Sequence, residues 1–112
     1  MKENDIQNQI LDYLALQKGI YFYRSNNTGL YDATKKIFRK RRAYCPNGIP
    51  DIIVIKNGLF IGIEVKKKGS YLSPDQRIFQ KNVEAAGGVY VLARSIDDLK
   101  GLFEWRYYLL NA

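Results

Sequence analysis

The sequence of 112 residues contains no histidine. This absence excludes histidine zinc ligands, histidine general bases and the serine–histidine or cysteine–histidine pairs of many hydrolases. Any hydrolytic chemistry must therefore depend on carboxylates, lysine, tyrosine or a bound metal ion. There is also a single cysteine, Cys45, which excludes an internal disulfide. We expect Cys45 to be a small buried or half-buried packing residue.

Long apolar runs are missing as well. No stretch reaches the roughly 18 residues of a membrane-spanning helix, and the N-terminus lacks the apolar segment of a signal peptide. We therefore expect a cytoplasmic protein with no membrane association. Hydrophobic residues nevertheless make up 46% of the chain and aromatic residues 13%. This content is enough for one core, which predicts a single domain over residues 1–112.

Acidic residues are scarce relative to basic ones. The 11 Asp and Glu residues face 18 Lys and Arg residues, giving a formal net charge of +7. This excess favours a polyanionic partner, because each phosphate that is neutralised releases a condensed counterion.

Six of the positive charges cluster within residues 35–42, with no acid among them: Lys35, Lys36, Arg39, Lys40, Arg41 and Arg42. We predict that about residues 31–47 form a long loop or loosely ordered basic arm, which is mobile and follows nucleic-acid phosphates. Tyr31, Phe38 and Tyr44 would be available to stack on exposed bases. The alternative is a nuclear localisation signal, which no other targeting feature supports.

Hydrophobic periodicity and turn residues predict an α/β fold with the order α-β-(arm)-β-β-α-β-α. The predicted elements are a helix from Glu3 to about Lys18, a strand over 20–24, hairpin strands over 52–55 and 59–66, a helix between a Ser73 N-cap and Gly87-Gly88, a strand over 89–93, and a helix from a Ser95 cap to about Leu110. The apolar side of the first helix is predicted to contain Ile6, Ile10, Leu11, Tyr13, Leu14 and Leu16. We expect helices to cover a mixed four-stranded sheet.

The hairpin places chemistry-bearing residues together. If Asn57 and Gly58 form a two-residue turn, opposed residues have numbers summing to 115, so that Asp51 faces Glu64. Their Cβ atoms would then lie about 5 Å apart, a span at which two carboxylates can share Mg²⁺. Lys66 would lie on the same face as Glu64, where its ammonium group could position a nucleophilic water or stabilise charge on an attacked phosphate.

Gly62 would share that face and leave room either for a close approach of substrate or for a bulky neighbour such as Ile53. The alternative for the charged trio is a cross-strand salt bridge on a solvated face. The flanking residues are apolar on both faces, however, and charges in such surroundings are costly without a ligand. This context favours a metal site.

The run Gly48-Ile49-Pro50-Asp51, followed by Glu64-Val65-Lys66, resembles the P-D…(D/E)-x-K signature of restriction-endonuclease-like nucleases. It looks most like the VRR-NUC family within them. Further points of similarity are Glu3 with Ile6-Gln7, the run Asn26-Asn27-Thr28-Gly29, and Gly69 with Leu72-Ser73 and Gln76. The resemblance covers about residues 3–95.

This resemblance implies a restriction-endonuclease-like fold and a Mg²⁺-dependent endonuclease in which Mn²⁺ can substitute. Asp51, Glu64 and the Val65 carbonyl would be metal ligands, Lys66 the catalytic lysine, and Asn27 a DNA contact. Glu3 and Gln76 would be accessory catalytic residues. For Glu3 the alternative is favourable interaction with the helix dipole, and for Gln76 it is a capping role.

Stand-alone members of the family are similar to Holliday junction resolvases, which implies a homodimer that cuts branched DNA, in a bacterial, phage or prophage setting. The segment Trp105–Leu110 offers either an interface surface or ordinary packing of the last helix. Three rival functions remain open: a non-catalytic nucleic-acid-binding module on the same fold, an RNA endonuclease, and an interaction protein for acidic partners.

Overall fold

The computed structural model describes residues 1–25 and 43–103, together with the backbone of residues 30–32 and 37–39. The elements are α1 (Glu3–Ala15), β1 (Ile20–Arg24), β2 (Leu30–Asp32), β3 (Ile37–Arg39), β4 (Ile52–Lys56), β5 (Leu59–Val65), α2 (Pro74–Ala85) and β6 (Val89–Ala93). A third helix, α3, is described over residues 97–103. The α/β class is confirmed.

Four strands form the main sheet in the order β1-β4-β5-β6. The β1–β4 and β4–β5 pairs are antiparallel, whereas β5 and β6 are parallel, so the sheet is mixed as predicted. Ile53 pairs with Gly62 and Lys56 with Leu59, which confirms the hairpin register. Asn57 and Gly58 both have positive φ, 51° and 77°, as a type I′ turn requires.

One face of this sheet carries the hydrophobic core. Ile6, Ile10 and Leu14 follow one another at four-residue spacing along α1, and all three are buried against the sheet. The remaining buried members of this core are Ile52, Val54, Ile61, Ile63, Val65, Ala93 and Leu99. The prediction was wrong for Leu16, which is 79% exposed because α1 ends at Ala15 and Leu16 is its C-cap.

The opposite face is partly covered by α2. This helix begins with the predicted capping box between Ser73 and Gln76, and its Phe79 ring lies 6.3 Å from the ring of Tyr90 in β6. The face carries Ile53, Gly62 and Glu64, because side chains alternate along a strand and the register aligns these positions. The candidate site therefore lies on the face away from the main core.

The predicted arm contains regular structure that the charge cluster concealed. β2 and β3 pair as an antiparallel hairpin in which Tyr31 lies opposite Phe38. Aromatic and β-branched residues favour such pairing. The prediction of a loosely ordered arm was therefore wrong at these strands, because it gave more weight to the cluster of cations than to the strand-forming residues. The predicted contacts Asn27, Lys35, Lys36, Lys40, Arg41 and Arg42 lie outside the described residues, as does the side chain of Arg39.

Two smaller predictions near the ends of elements were wrong. Cys45 is exposed, because it lies in an irregular segment beside Tyr44, outside the layers that form the core. α3 begins at residue 97, too late for Ser95 to be its N-cap, and the Asp98 carboxylate instead accepts a hydrogen bond from the Arg94 N–H at 2.8 Å. The segment Trp105–Leu110 lies outside the described residues. Among the helices that the structure describes, none is long and apolar enough to cross a bilayer.

Gly48 holds the segment that leads to Asp51 against the start of α2. Its φ is +74°, and a Cβ at this position would lie 2.6 Å from the carbonyl carbon of Asp75. We expect Gly48→Ala to destabilise the protein by about 1–3 kcal/mol more than Gly58→Ala, because overpacking adds to the left-handed strain. Gly58 is a matched control, since its φ is +77° and a Cβ there would meet no atom within 4 Å. Denaturant unfolding measures the difference, and equal losses in both variants would contradict the close packing.

Candidate active site

The hairpin brings Asp51 and Glu64 together at one end of the sheet. Asp51 Oδ2 accepts a hydrogen bond from the Val65 N–H at 2.8 Å, and the Asp51 and Glu64 side chains are themselves hydrogen-bonded. On its other side, the Asp51 carbonyl accepts from the Ser25 N–H at 2.9 Å, and the Ser25 hydroxyl donates to the Pro50 carbonyl. Asp51 is thus held between β1 and β5, with its carboxyl group beside Glu64.

Glu64 is in an environment that opposes its ionisation. Its side chain is only 3% exposed, and burial, the hydrogen bond with Asp51 and the charge of Asp51 raise its pKa from the ordinary 4.5 to about 9. Its Oε1 atom is buried and has no hydrogen-bond partner. Without a cation, this carboxyl group therefore carries a proton at neutral pH.

The residues present fit a hard divalent cation. A buried carboxyl oxygen without a donor, next to a second carboxylate, is an arrangement that a cation would stabilise, and oxygen ligands are those that Mg²⁺ prefers. Within residues 1–25 and 43–103, no group of three or more His, Cys, Asp or Glu side chains converges. Two carboxylates match the sparse protein ligation of Mg²⁺, which keeps several water ligands, rather than an all-protein cage.

Comparison with solved structures identifies a similar chain described as a VRR_NUC domain protein. Its TM-score is 0.62 at 21% sequence identity, over 93% of this chain and 86% of that one. The chain has the VRR-NUC fold. No family model matches the sequence, and no curated protein matches it. The predicted restriction-endonuclease-like architecture is confirmed by this similarity at the level of the fold.

Lys66 and Glu3 both lie close enough to influence Glu64 in this VRR-NUC fold. Lys66 follows β5 directly, where its N–H donates to the Ala93 carbonyl at 3.0 Å, and its positive charge acts to lower the Glu64 pKa. Glu3, exposed at the start of α1, acts to raise it. Glu3 thus acts on Glu64 from another element of the fold, whereas Lys66 comes from the end of the same strand.

Gln76 caps the start of α2, which was the alternative to its predicted role as an accessory catalytic residue. Its side-chain carbonyl accepts from the Ser73 N–H at 2.8 Å, and its own N–H donates to Ser73 Oγ at 3.2 Å.

Gly62 leaves room for Pro50 rather than for the expected neighbour Ile53, since a Cβ on Gly62 would lie 2.6 Å from Pro50 Cγ. This packing locks the residue that precedes Asp51 onto β5.

Sequence reasoning missed Tyr90. Tyr90 pairs with Gly62 across the parallel β5–β6 strands and is 7% exposed, and its hydroxyl is buried without a hydrogen-bond partner. Burial raises the pKa of Tyr90, and the negative charges of Glu64 and Asp51 raise it further. Nothing local in the sequence marks this residue, because its position depends on the register of two strands joined through α2.

Lys56 was also missed, at the far end of the hairpin. It is 8% exposed, and its Nζ donates to the Leu102 carbonyl at 3.2 Å and lies 5.3 Å from the centre of the Phe103 ring. A cation near helical carbonyls and an aromatic face is stabilised there. Lys56 therefore joins α3 to the sheet and has a structural role.

Proposed function

We propose that this protein is a Mg²⁺-dependent, structure-specific DNA endonuclease that cuts branched DNA such as Holliday junctions. The observation that carries the proposal is the hydrogen-bonded pair of Asp51 and buried Glu64, beside Lys66. The solved VRR_NUC domain protein with the same fold supports a nuclease, since nuclease activity is what its name denotes. The basic composition supports a nucleic-acid substrate.

In this proposal each residue has a distinct role. Asp51, Glu64 and the Val65 carbonyl would hold the ion. A bound divalent ion lowers the pKa of water in its shell and polarises the phosphoryl oxygen, and Mn²⁺ can replace Mg²⁺ because both accept oxygen ligands. Lys66 orients the attacking water or stabilises the negative charge that develops on the phosphate. Glu3 supplies an accessory acid at the rim of the site.

The proposal extends to substrate geometry and assembly. Phosphates of the DNA arms would be bound by the basic segment at residues 35–42, with Asn27 as a further contact. A homodimer would present two such sites to a branched substrate with two strands to cut. Branched DNA and dimerisation follow from the family resemblance.

A side-by-side cleavage assay tests the function. Four-way junctions, flaps, hairpins, linear duplex, single strands and the matching RNAs are incubated with Mg²⁺, Mn²⁺ or EDTA. We expect both metal ions to support cutting of branched DNA and EDTA to prevent it. Equal cleavage in EDTA would contradict the metal centre, preference for RNA would favour the RNA endonuclease, and tight binding without any cutting would favour the non-catalytic module.

A second measurement tests the basic arm. Replacing Lys35, Lys36, Arg39, Lys40, Arg41 and Arg42 by serine should weaken DNA binding and reduce the slope of log affinity against log salt by up to about 5, because each lost phosphate contact contributes roughly 0.9. Mg²⁺ affinity, measured by calorimetry, serves as the control and should not change. Wild-type DNA affinity at low salt would show that the arm does not contact DNA.

A further inference from the structure

Two buried side-chain oxygens in the described part of the chain have no hydrogen-bond partner, Glu64 Oε1 and the Tyr90 hydroxyl. With a divalent ion bound, Glu64 is ionised, and a carboxylate oxygen that binds the ion with one lone pair can accept a hydrogen bond with the other, whereas a phenolic hydroxyl can donate one. Leaving either group buried and unpaired costs free energy, so native proteins rarely do so without a ligand or an ordered water. The two atoms thus form a complementary acceptor and donor.

Both atoms belong to the same face of the sheet. The parallel register pairs Gly62 with Tyr90 and Glu64 with Leu92, so Tyr90 is displaced from Glu64 by a single two-residue step along the strands. Asp51 lies beside Glu64 at the same end of the hairpin, where its carboxylate accepts from the Val65 N–H, so all three side chains belong to one region of this face. Neither unpaired atom bonds to the other, and a small polar molecule between them would complete the hydrogen bonding of both.

We propose that Tyr90 is a positioning residue of this site, whose hydroxyl donates to a water molecule that also hydrogen-bonds Glu64 Oε1. This inference rests on the proposed function, because it is the orientation of Glu64 toward a divalent ion that the water would maintain. The surroundings of Tyr90 suit this role. The Phe79 ring packs beside the Tyr90 ring, and Pro50 occupies the space that a side chain at Gly62, the residue paired with Tyr90, would take.

The test is Tyr90→Phe in the full chain, which removes only the hydroxyl. We expect unchanged or higher thermal stability without metal, Mg²⁺ affinity reduced about 10-fold or more by calorimetry, and a matching loss of cleavage at limiting Mg²⁺. Tyr13→Phe is the matched control, because Tyr13 is half-buried against Phe103, 5.9 Å away between ring centres, on the core side. It should retain wild-type Mg²⁺ affinity.

The outcomes separate this inference from the proposed function. Wild-type Mg²⁺ affinity in Tyr90→Phe, while Asp51→Asn loses it, would overturn the role of Tyr90 and leave the metal centre intact. Equal losses in Tyr90→Phe and Tyr13→Phe would also overturn it, since the effect would then be one of stability. Absence of divalent-ion binding by the wild-type chain, even with DNA present, would remove both proposals.

A different observation carries a second inference. Tyr21 and Tyr23, on edge strand β1, are 68% and 47% exposed, and their ring centres are 5.9 Å apart. Tyr23 pairs with Ile53 of β4, two residues from Asp51, so both rings lie on the sheet face of the carboxylates. The chain therefore presents two exposed aromatic rings beside its candidate active site.

We infer that this pair, which we call the tyrosine platform, stacks on unpaired bases next to the scissile phosphate. Aromatic faces accept any base, which suits recognition by structure rather than by sequence, and the net charge of +7 favours nucleic acid over a neutral surface. This inference rests on the proposed function for the identity of its ligand. A second copy of this chain is the other occupant that the test must distinguish.

The double variant Tyr21→Ala/Tyr23→Ala tests the platform. We expect at least about 5-fold weaker binding of junctions and single strands, unchanged Mg²⁺ affinity, and recovery of binding in the double phenylalanine variant. Tyr71→Ala is the control, because Tyr71 is 75% exposed but is covered on one face by the Arg94 guanidinium at 5.3 Å. Wild-type affinity in the double alanine variant would overturn the inference, as would sedimentation showing that this variant only dissociates a dimer. DNA binding that persists in Asp51→Asn but falls in the double variant would separate stacking from catalysis.

Discussion

Asp51→Asn is expected to lower Mg²⁺-dependent cleavage by about 10³-fold or more, which corresponds to roughly 4 kcal/mol of transition-state stabilisation. The substitution removes one of the two negative charges that would hold the ion. It preserves the shape of the side chain and an oxygen that can still accept from the Val65 N–H, so the fold should survive. Single-turnover cleavage of a labelled junction measures the loss, and circular dichroism checks folding.

Lys66→Ala separates ion binding from chemistry in the same assay. We expect the variant to bind Mg²⁺ at least as well as the wild type, because the positive charge of Lys66 repels the ion and is removed. We expect the variant to cleave poorly. Lys67→Ala is the matched control, since Lys67 is the next residue along the chain and is exposed. Cleavage by Asp51→Asn within tenfold of the wild-type rate would contradict the assignment of Asp51.

The metal-free protein is expected to lose stability as the pH rises from 6 to 8, and Glu64→Gln should abolish this dependence. The pKa of Glu64 is raised from 4.5 to about 9 by burial and by Asp51. The folded state therefore binds a proton that the unfolded state releases above pH 4.5. The stabilising contribution of this proton is complete below that pH and is lost progressively as the pH rises toward 9.

The size of this effect follows from the linkage of one proton. It amounts to at most about 1.4 kcal/mol per pH unit, or up to about 2.7 kcal/mol between pH 6 and 8. The window is favourable because the chain has no histidine to titrate there. Urea unfolding of both proteins in EDTA, at several pH values, gives the difference directly.

Mg²⁺ should reverse the dependence in the wild type, because the ion replaces the proton on Glu64 and binds better as the pH rises. A hundredfold excess over the dissociation constant would add about 2.7 kcal/mol of stability. Glu64→Gln should gain much less. If the free energy of unfolding depends on pH in the same way for the wild type and Glu64→Gln, both with and without Mg²⁺, then Glu64 neither takes up a proton on folding nor binds the ion.

The hairpin and the pair of carboxylates could be predicted because their information is local. Asn57-Gly58 selects one turn geometry, and that turn fixes which residues of β4 and β5 face each other. Asp51 and Glu64 needed no other part of the chain to be placed together. The same reasoning from local chemistry found the capping box of α2 and the burial of Ile6, Ile10 and Leu14.

The predictions for residues 31–47 and for Cys45 failed because short stretches of sequence favoured one structure while other residues or the rest of the fold favoured another. The cations of residues 35–42 indicated an irregular arm, although β2 and β3 pair through Tyr31 and Phe38. Cys45 was assigned to packing from its residue type alone, but it lies outside the layers of the fold. The roles of Asp51, Glu64, Val65 and Lys66 in catalysis remain predictions.

The order of residues along the chain determined the α/β class, the hairpin register and the meeting of two acids, because turns and strand alternation act over a few residues. Tertiary structure alone decided how far Glu64 is buried and that Tyr90 joins it, since both depend on β6 returning parallel to β5 after α2. Tertiary structure also placed Tyr21 and Tyr23 on the face of the carboxylates, through the pairing of β1 with β4. Burial and contact between distant strands are properties of the assembled sheet, and they set the electrostatics of the candidate site.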